Sequence, residues 1–288
     1  MMANAARAVD AGLGRMRASR PPSLYAYDPD IGRLAISTRT YNTAVVPVSH
    51  GAFPYGGLDL ARLFDADQDV LANIGGTAPG GFGLVVRNAR GGTALATQVT
   101  RRHAASGVRP LRLTRAPSGT AAAATSLGRA YAGAFRAIEA AGSTRGRGFA
   151  ATVAHRFTRD YIRTRWMLRH TGARGPHTAD VLFPSWGGDR AAVTAVLRTG
   201  ERVAVGGRGL AMRSVRGFEI RSAHGGYRVL GLRAPRGATA RIVRPARQSS
   251  NPLPGPSLSI RIGSGAALRL ARFAARIAPA RSGPLAAP

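Results

Sequence analysis

Residues 148–186, GFAATVAHRFTRDYIRTRWMLRHTGARGPHTADVLFPSW, constrain the fold more than any other stretch, because they alternate in polarity twice over. Val153, His155 and Phe157 fall on one side of a first strand. Thr158, Arg159 and Asp160 can turn the chain, and Ile162, Thr164, Trp166 and Leu168 alternate on the way back. Period two is the mark of a half-buried sheet. The residues between them on the return strand are Arg163, Arg165, Met167 and Arg169, so the opposite face is dominated by guanidinium groups. A hairpin with one apolar face needs a second layer against it. The expected fold is therefore all-β, an antiparallel β-sandwich with Phe157 and Trp166 in its core.

Similar short runs, bounded by glycine or proline, recur across residues 23–262, at the spacing of sandwiches and barrels. This span is expected to form the sandwich domain. Residues 1–22 read as a leader or the end of a helical domain, with Ala5, Ala8, Val9, Gly12 and Leu13 along one side of a short helix. Residues 263–288 read as a basic C-terminal helix or tail, with Leu270, Phe273 and Ile277 on one side and Arg269, Arg272 and Arg276 on another. Short terminal helices would thus flank the sandwich. Residues 118–128, SGTAAAATSLG, read as a loose loop, and residues 142–148 as a turn rich in glycine and arginine. The first 20 residues hold no apolar run long enough for a signal peptide or a membrane span, and no membrane partner is expected.

Composition narrows the chemistry. Of 288 residues, 42 are basic and 13 acidic, giving a formal net charge of +29, and every basic residue is arginine. So many arginines without one lysine beside abundant alanine, glycine and proline look like a coding bias, yet the surface must still attract polyanions. Arginines spread over nearly every segment argue against a nucleic-acid interface, which concentrates charge in a patch. The chain has no cysteine, which removes thiol nucleophiles, disulfides and thiolate metal sites. Lacking lysine, it has neither a Schiff-base lysine nor a P-loop lysine.

Two local patterns resemble ligand motifs and lack a defining part. Asp65, Asp67 and Asp69 have the spacing that opens a calcium loop, but Val70 and Gly76 stand where glycine and glutamate are required, so an acidic turn is expected and no metal. The glycine-rich residues 74–83 lead into a strand pattern rather than a helix, so they read as a tight loop and not a phosphate cradle. No cofactor is called for. There is no G-x-S-x-G elbow or H-E-x-x-H motif, and Glu139, Glu201 and Glu219 have no second carboxylate near in sequence, which disfavours a glycosidase pair.

One segment, residues 39–57, collects site-like residues on a strand and a glycine-flanked loop. Tyr41, His50 and Tyr55 can transfer protons, Asn42 can donate hydrogen bonds, and Arg39 can fork onto a carboxylate. His155, on the apolar side of its strand, reads either as a satisfied core histidine or as a site residue. The stretches AYDPDIGRLAISTRTYNTAVVPVSHGAFPYGGLDLARLF, HRFTRDYIRTRW, VLFPSWG and QSSNPLPGPSLSI resemble the sheet portion of large secreted actinobacterial proteins similar to heparinase-like polysaccharide lyases. In those proteins an α/α toroid precedes a β-supersandwich. The resemblance implies a supersandwich, secretion, an acidic polysaccharide as partner and a toroid supplied from elsewhere. It also implies β-elimination, with His50, Tyr55 and Tyr41 as catalytic candidates and Arg39, Asn42 and His155 as substrate-binding candidates. The alternatives are a non-catalytic sandwich that binds carbohydrate or supports another domain, and a polyanion or nucleic-acid binder.

Overall fold

The computed structural model describes residues 22–30, 32–46, 56–65, 68–71, 82–99, 108–115, 121–125, 128–185, 190–222, 225–244, 255–265 and 268–280. Among these, strands account for nearly all regular structure. The exceptions are 3-10 positions at Arg190 and Met212–Ser214.

Strands are numbered along the chain. A seven-stranded sheet has the order β11 (Ala121–Thr125), β12 (Gly128–Ala134), β1 (Leu24–Asp28), β2 (Arg33–Ser37), β3 (Asn42–Val45), β5 (Leu60–Asp65) and β6 (Gln68–Asp69). A nine-stranded sheet runs β10 (Arg109–Arg115), β13 (Ala137–Gly146), β14 (Phe149–Thr158), β15 (Ile162–His170), β24 (Leu270–Pro279), β21 (Gly225–Arg233), β20 (Val215–Ser222), β17 (Ala192–Leu197) and β18 (Arg202–Ala204). A six-stranded sheet runs β19 (Leu210–Ala211), β22 (Thr239–Val243), β23 (Ser257–Gly265), β16 (His177–Phe183), β7 (Gly83–Asn88) and β8 (Thr93–Ala96). A small ribbon pairs β4 (Gly56–Gly57) with β9 (Gln98–Val99). All the pairings are antiparallel, and one apolar core draws residues from all three large sheets, as a layered all-β fold requires.

The hairpin expected from the sequence is β14–β15, in the register Phe157↔Ile162 through Phe149↔His170. Its apolar side faces the core: Val153, Phe157, Ile162, Trp166 and Leu168 are all buried. Around Trp166 stand Phe82 at 5.6 Å, Phe273 at 5.7 Å and Phe183 at 6.0 Å between ring centroids, in tilted and edge-on arrangements that suit aromatic quadrupoles.

Three expectations need correction. Residues 270–279 form strand β24, not a helix, and they fill the middle of the nine-stranded sheet between β15 and β21. Ala271, Phe273, Ala275 and Ile277 are its buried face, a period-two set that the small alanines disguise. With apolar neighbours on both sides, tertiary pairing overrides alanine's preference for helix. Residues 121–125 likewise form a strand, held by the backbone ladder Ala121↔Ala132 through Thr125↔Gly128 rather than by any side-chain signal. Finally, β13 continues to Gly146, and only Arg147 and Gly148 turn. Gly142, within that strand, has to be glycine, because a Cβ there would come within 2.5 Å of Leu58 Cδ2 and 3.0 Å of the Arg109 carbonyl oxygen. The expected N-terminal helix lies outside the described residues.

Trp166→Ala should therefore destabilise the protein by roughly 3–5 kcal/mol, the range for deleting a large buried aromatic side chain. Arg165→Ala, on the solvent face of the same strand, should stay within about 0.5 kcal/mol of the parent. Urea denaturation midpoints of the two variants check the assignment of faces.

Candidate functional site

The outer face of the nine-stranded sheet carries a groove of about 760 Å³. Its position follows from the alternation of β15 and β24. With Trp166 and Phe273 turned inward, Arg163, Arg165 and Met167 on one strand and Leu270, Arg272 and Ala274 on the next must point outward. Ala154 and Ala274 keep the floor low. The rim on the far side comes from a bulge in β21, where the register with β24 shifts between Leu230 and Arg233. Gly231 takes the left-handed conformation there, φ 59°, and the Arg276 side chain lies over it, with Cγ and Cδ 3.3 Å from where a Cβ would stand. The bulge brings Arg233 opposite Ala274, across the floor from Arg165.

Electrostatically the groove itself is one-signed: no carboxylate lines it among the described residues. None of Arg163, Arg165, Arg233 and Arg272 has an ion pair among the described residues. Arg163 stands directly opposite Arg156 on one side and Arg276 on the other. Like charges directly across a ladder destabilise a sheet. Arg156 is relieved by Glu139 at 3.3 Å, and Arg276 by the face of the Tyr161 ring at 5.0 Å. At Arg163 burial lowers its affinity for a proton, the charges of Arg165, Arg233 and Arg276 lower it further, and Tyr161 offsets part of this. Met167 and Leu270, 40% and 53% exposed, are two of the few large apolar side chains left in water, and both line the groove. The arrangement is an uncompensated cationic surface with apolar patches between its charges.

The residues singled out from the sequence do not gather there. His50 and Tyr55 lie outside the described residues. Tyr41 is buried, and its hydroxyl donates to the Thr158 carbonyl oxygen at 2.7 Å, bracing the segment before β3 against the β14–β15 turn. Burial, and then the Asp160 charge, hold its pKa well above the usual phenol value. Arg39 meets Asp160 at 3.8 Å at the same turn, and Asn42 is exposed at the start of β3. His155 is on the opposite face of the sheet from the groove. Its Nε2 lies 2.7 Å from the Leu58 carbonyl oxygen, which can only accept, so Nε2 carries the proton and Nδ1 accepts from the Thr164 hydroxyl at 2.9 Å. Burial pushes its pKa down to about 4. Of the acidic triplet, Asp69 pairs with Arg62 at 2.7 Å and accepts from the Leu63 and Leu71 amides, so it closes the β5–β6 turn. The side chains of Asp65 and Asp67 lie outside the described set.

One buried group had no signal in the sequence. Asp59, 4% exposed, accepts from Trp166 Nε1 at 2.7 Å and from the Thr97 hydroxyl, and Thr97 Oγ1 in turn accepts the Leu84 amide at 2.9 Å. Burial outweighs both of these bonds and raises the Asp59 pKa to about 7. The Leu270, Arg272 and Ala274 contributions to the groove have no signal in the sequence either, since they depend on residues 270–279 being a strand.

No protein-family model matches the chain, and no curated protein does. Its fold is similar to that of a heparinase III solved with methylated lysines, with a TM-score of 0.51 at 9% identity, covering 96% of this chain and 41% of that one. A second heparinase III matches with a TM-score of 0.46 at 10% identity, covering 86% and 35%. A 4-α-glucanotransferase from Thermococcus litoralis matches with 0.47 at 10% identity, covering 90% and 39%. The chain spans about two-fifths of the length of these solved proteins. At such identities the likeness is one of fold.

Asp59 and His155 set opposing pH dependences. The raised Asp59 favours the folded state below its unfolded pKa of about 3.9 and loses that contribution as pH climbs through about 7. The depressed His155 contributes above its unfolded pKa of about 6.5 and loses its contribution as pH falls through about 4. Between these limits the two slopes offset one another. Asp59→Asn, which keeps an acceptor for Trp166, should expose the histidine slope: its stability should rise by up to about 3 kcal/mol between pH 4 and 6.5, against a much flatter parent. Denaturant midpoints measured across pH 4–8 check this.

Proposed function

We propose that this chain is the sheet portion of a carbohydrate-active protein and that the outer groove of its nine-stranded sheet holds an acidic polysaccharide. The observation that carries the reading is the set of four guanidiniums, Arg163, Arg165, Arg233 and Arg272, around one groove whose lining has no carboxylate. Guanidinium forks suit carboxylates and sulfates, and Met167 and Leu270 offer apolar contact to the C–H faces of pyranose rings. From Arg163 to Met167 the strand spans about 13 Å, so the rim follows an extended chain rather than one small anion. That a heparinase III shares the fold is in keeping with this class of partner.

Within this reading, binding belongs to the groove, His50 and Tyr55 are the candidates for proton transfer, and Arg39 and Asn42 remain substrate-binding candidates. Tyr41 and His155, buried with their polar atoms engaged, serve the fold. A lyase reaction would need a base and a carboxylate-neutralising group brought to one uronate. A second domain such as a helical toroid would complete that cleft.

The test compares alginate, a uronan, with neutral dextran at several salt concentrations. Alginate should bind and dextran should not, with affinity falling as salt screens the arginines. Because the whole chain is cationic, the decisive comparison is Arg163→Ala/Arg272→Ala against Arg90→Ala/Arg208→Ala, which removes the same charge from exposed positions elsewhere. The groove pair should weaken binding by roughly tenfold or more, since each lost charge-assisted bond is worth about 1.5–3 kcal/mol. Equal losses in the two variants would mean diffuse attraction and no site. Ultraviolet absorbance of an unsaturated uronate, with and without His50→Ala/Tyr55→Ala, reports on elimination separately.

A further inference from the structure

The groove stops at β14 on one side, yet the cationic face it belongs to does not. On β13 and β14 the outward positions are small: Ala141 lies opposite Ala154 and Ser143 opposite Thr152, all four half-buried, and Thr152 and Ala154 already line the groove. Beyond them stands β10, the edge strand, whose ladder sets Arg112 beside Ala141 and Arg109 beside Ser143. Two cross-strand rows therefore leave the groove and end on exposed arginines. One runs from Arg165 through Ala154 and Ala141 to Arg112, the other from Arg272 through Met167, Thr152 and Ser143 to Arg109.

The local structure of β10 is what brings its arginines to this face. Regular alternation in RPLRLTR would put Arg109, Leu111, Leu113 and Arg115 on one side, mixing charge into the core. Two register shifts against β13, between Arg109 and Arg112 and between Leu113 and Arg115, each insert one residue and break that alternation. As a result Leu111 is buried and Leu113 packs against the main core, while Arg109, Arg112 and Arg115 turn outward and are exposed. Bulges of this kind re-aim side chains at sheet edges. They and the charges beside them also discourage edge-to-edge pairing. Edge protection asks only for charge along the edge, however, and gives no reason for its rows to meet those of the groove.

Electrostatics favour the same direction. Past β21, on the other side of the groove, the face becomes acidic at Glu219 on β20, which meets Arg202 and Arg228. Toward the β14–β15 turn it reaches the Glu139–Arg156 pair and Asp160, which stands 3.8 Å from Arg39. Toward β10 neither row carries a carboxylate, and neither Arg109 nor Arg112 makes an ion pair among the described residues. Three strand spacings, about 14 Å, separate Arg165 from Arg112. This exceeds the Debye length of about 8 Å at physiological salt, so the two clusters act on different parts of a ligand rather than on one charge.

Resting on the reading that the groove holds an acidic polysaccharide, we propose that Arg109 and Arg112 form a second subsite for its acidic sugars and that one polysaccharide chain spans this subsite and the groove. Ala141, Ala154, Ser143 and Thr152 form the floor between the two, low enough for sugar rings to pass and with two hydroxyls to exchange hydrogen bonds with theirs. Once the groove is filled, the second contact is intramolecular. A chain long enough to reach β10 then gains affinity through effective concentration, and a shorter one does not.

Isothermal titration of the full chain with length-graded oligomers of alginate, at fixed ionic strength, tests this. Longer oligomers also offer more registers, which raises affinity in every variant alike, so the informative quantity is the ratio of long-chain to short-chain affinity. Arg109→Ala/Arg112→Ala should leave the shortest oligomer that binds within about twofold of the parent and weaken the longest by roughly tenfold or more, since its charge-assisted contacts at β10 are lost. Arg90→Ala/Arg208→Ala should stay within about twofold at both lengths, and Arg163→Ala/Arg272→Ala should weaken every length. Both β10 arginines are exposed, so their variant should keep the parent's melting temperature, and retained short-chain binding reports an intact fold. Undiminished long-chain affinity in Arg109→Ala/Arg112→Ala, or a loss no greater than in Arg90→Ala/Arg208→Ala, would mean that the β10 arginines only guard a sheet edge; it would overturn the proposal and leave the groove intact. Absence of binding at every length, or indifference to Arg163→Ala/Arg272→Ala, would instead remove the groove reading and this one with it.

Discussion

The layers of this protein meet at Asp59. Lying just before β5 of the seven-stranded sheet, it accepts from Trp166 in the nine-stranded sheet and from Thr97, whose hydroxyl holds the Leu84 amide of the six-stranded sheet. The neighbouring Leu58 carbonyl takes the His155 ring from the same nine-stranded sheet. Apolar packing alone would let sheets slide over one another, because dispersion has no direction. A buried carboxyl that is satisfied only when three elements are in register does not permit sliding. The cost is the desolvation that raises the Asp59 pKa to about 7. Trp166 therefore serves twice, as the largest apolar side chain in the core and as the donor that keeps this carboxyl bonded.

With the inner face of the nine-stranded sheet fixed this way, the outer face is left free to vary, and it has taken on a chemistry that does not favour folding. Arg163 between Arg156 and Arg276 opposes like charges across two ladders, and Met167 and Leu270 face water. Each is unfavourable to the isolated fold, and an extended anion with apolar faces would relieve both.

What could be read from the sequence was whatever a strand writes in large residues. The β14–β15 hairpin announced itself because Phe157, Ile162, Trp166 and Leu168 contrast with arginines at every second position. Residues 270–279 carry the same pattern with alanine at half the buried positions, and Leu270, Phe273 and Ile277 also satisfy a helical period, so they imitate a helix. Half of the groove was lost with that strand. Tyr41 and His155 were recognised as chemically capable, yet nothing local shows that Thr158 and Leu58, distant in sequence, engage their polar atoms. Asp59 was invisible for the same reason. Its partners are 38 and 107 residues away, and a carboxylate in a loop ordinarily faces water.

The excess of arginine invites a purely compositional account, and the distribution of carboxylates limits it. Coding bias can convert lysine to arginine and raise the total, but it has no means of choosing where 13 acidic residues stand. Asp28, Asp69 and Asp160 each meet an arginine at turns of the sheets, Glu139 meets one and Glu219 two on the outer face of the nine-stranded sheet, and Asp180 meets two within the six-stranded sheet. Among the described residues lining the groove there is none. If charge had accumulated by drift alone, the ladders carrying Arg163, Arg165 and Arg272 would be as open to an opposing carboxylate as the Arg156–Glu139 pair, whose arginine stands directly opposite Arg163, and such a pair would stabilise the sheet. Composition alone does not explain its absence there, whereas the acidic polysaccharide proposed for the groove would.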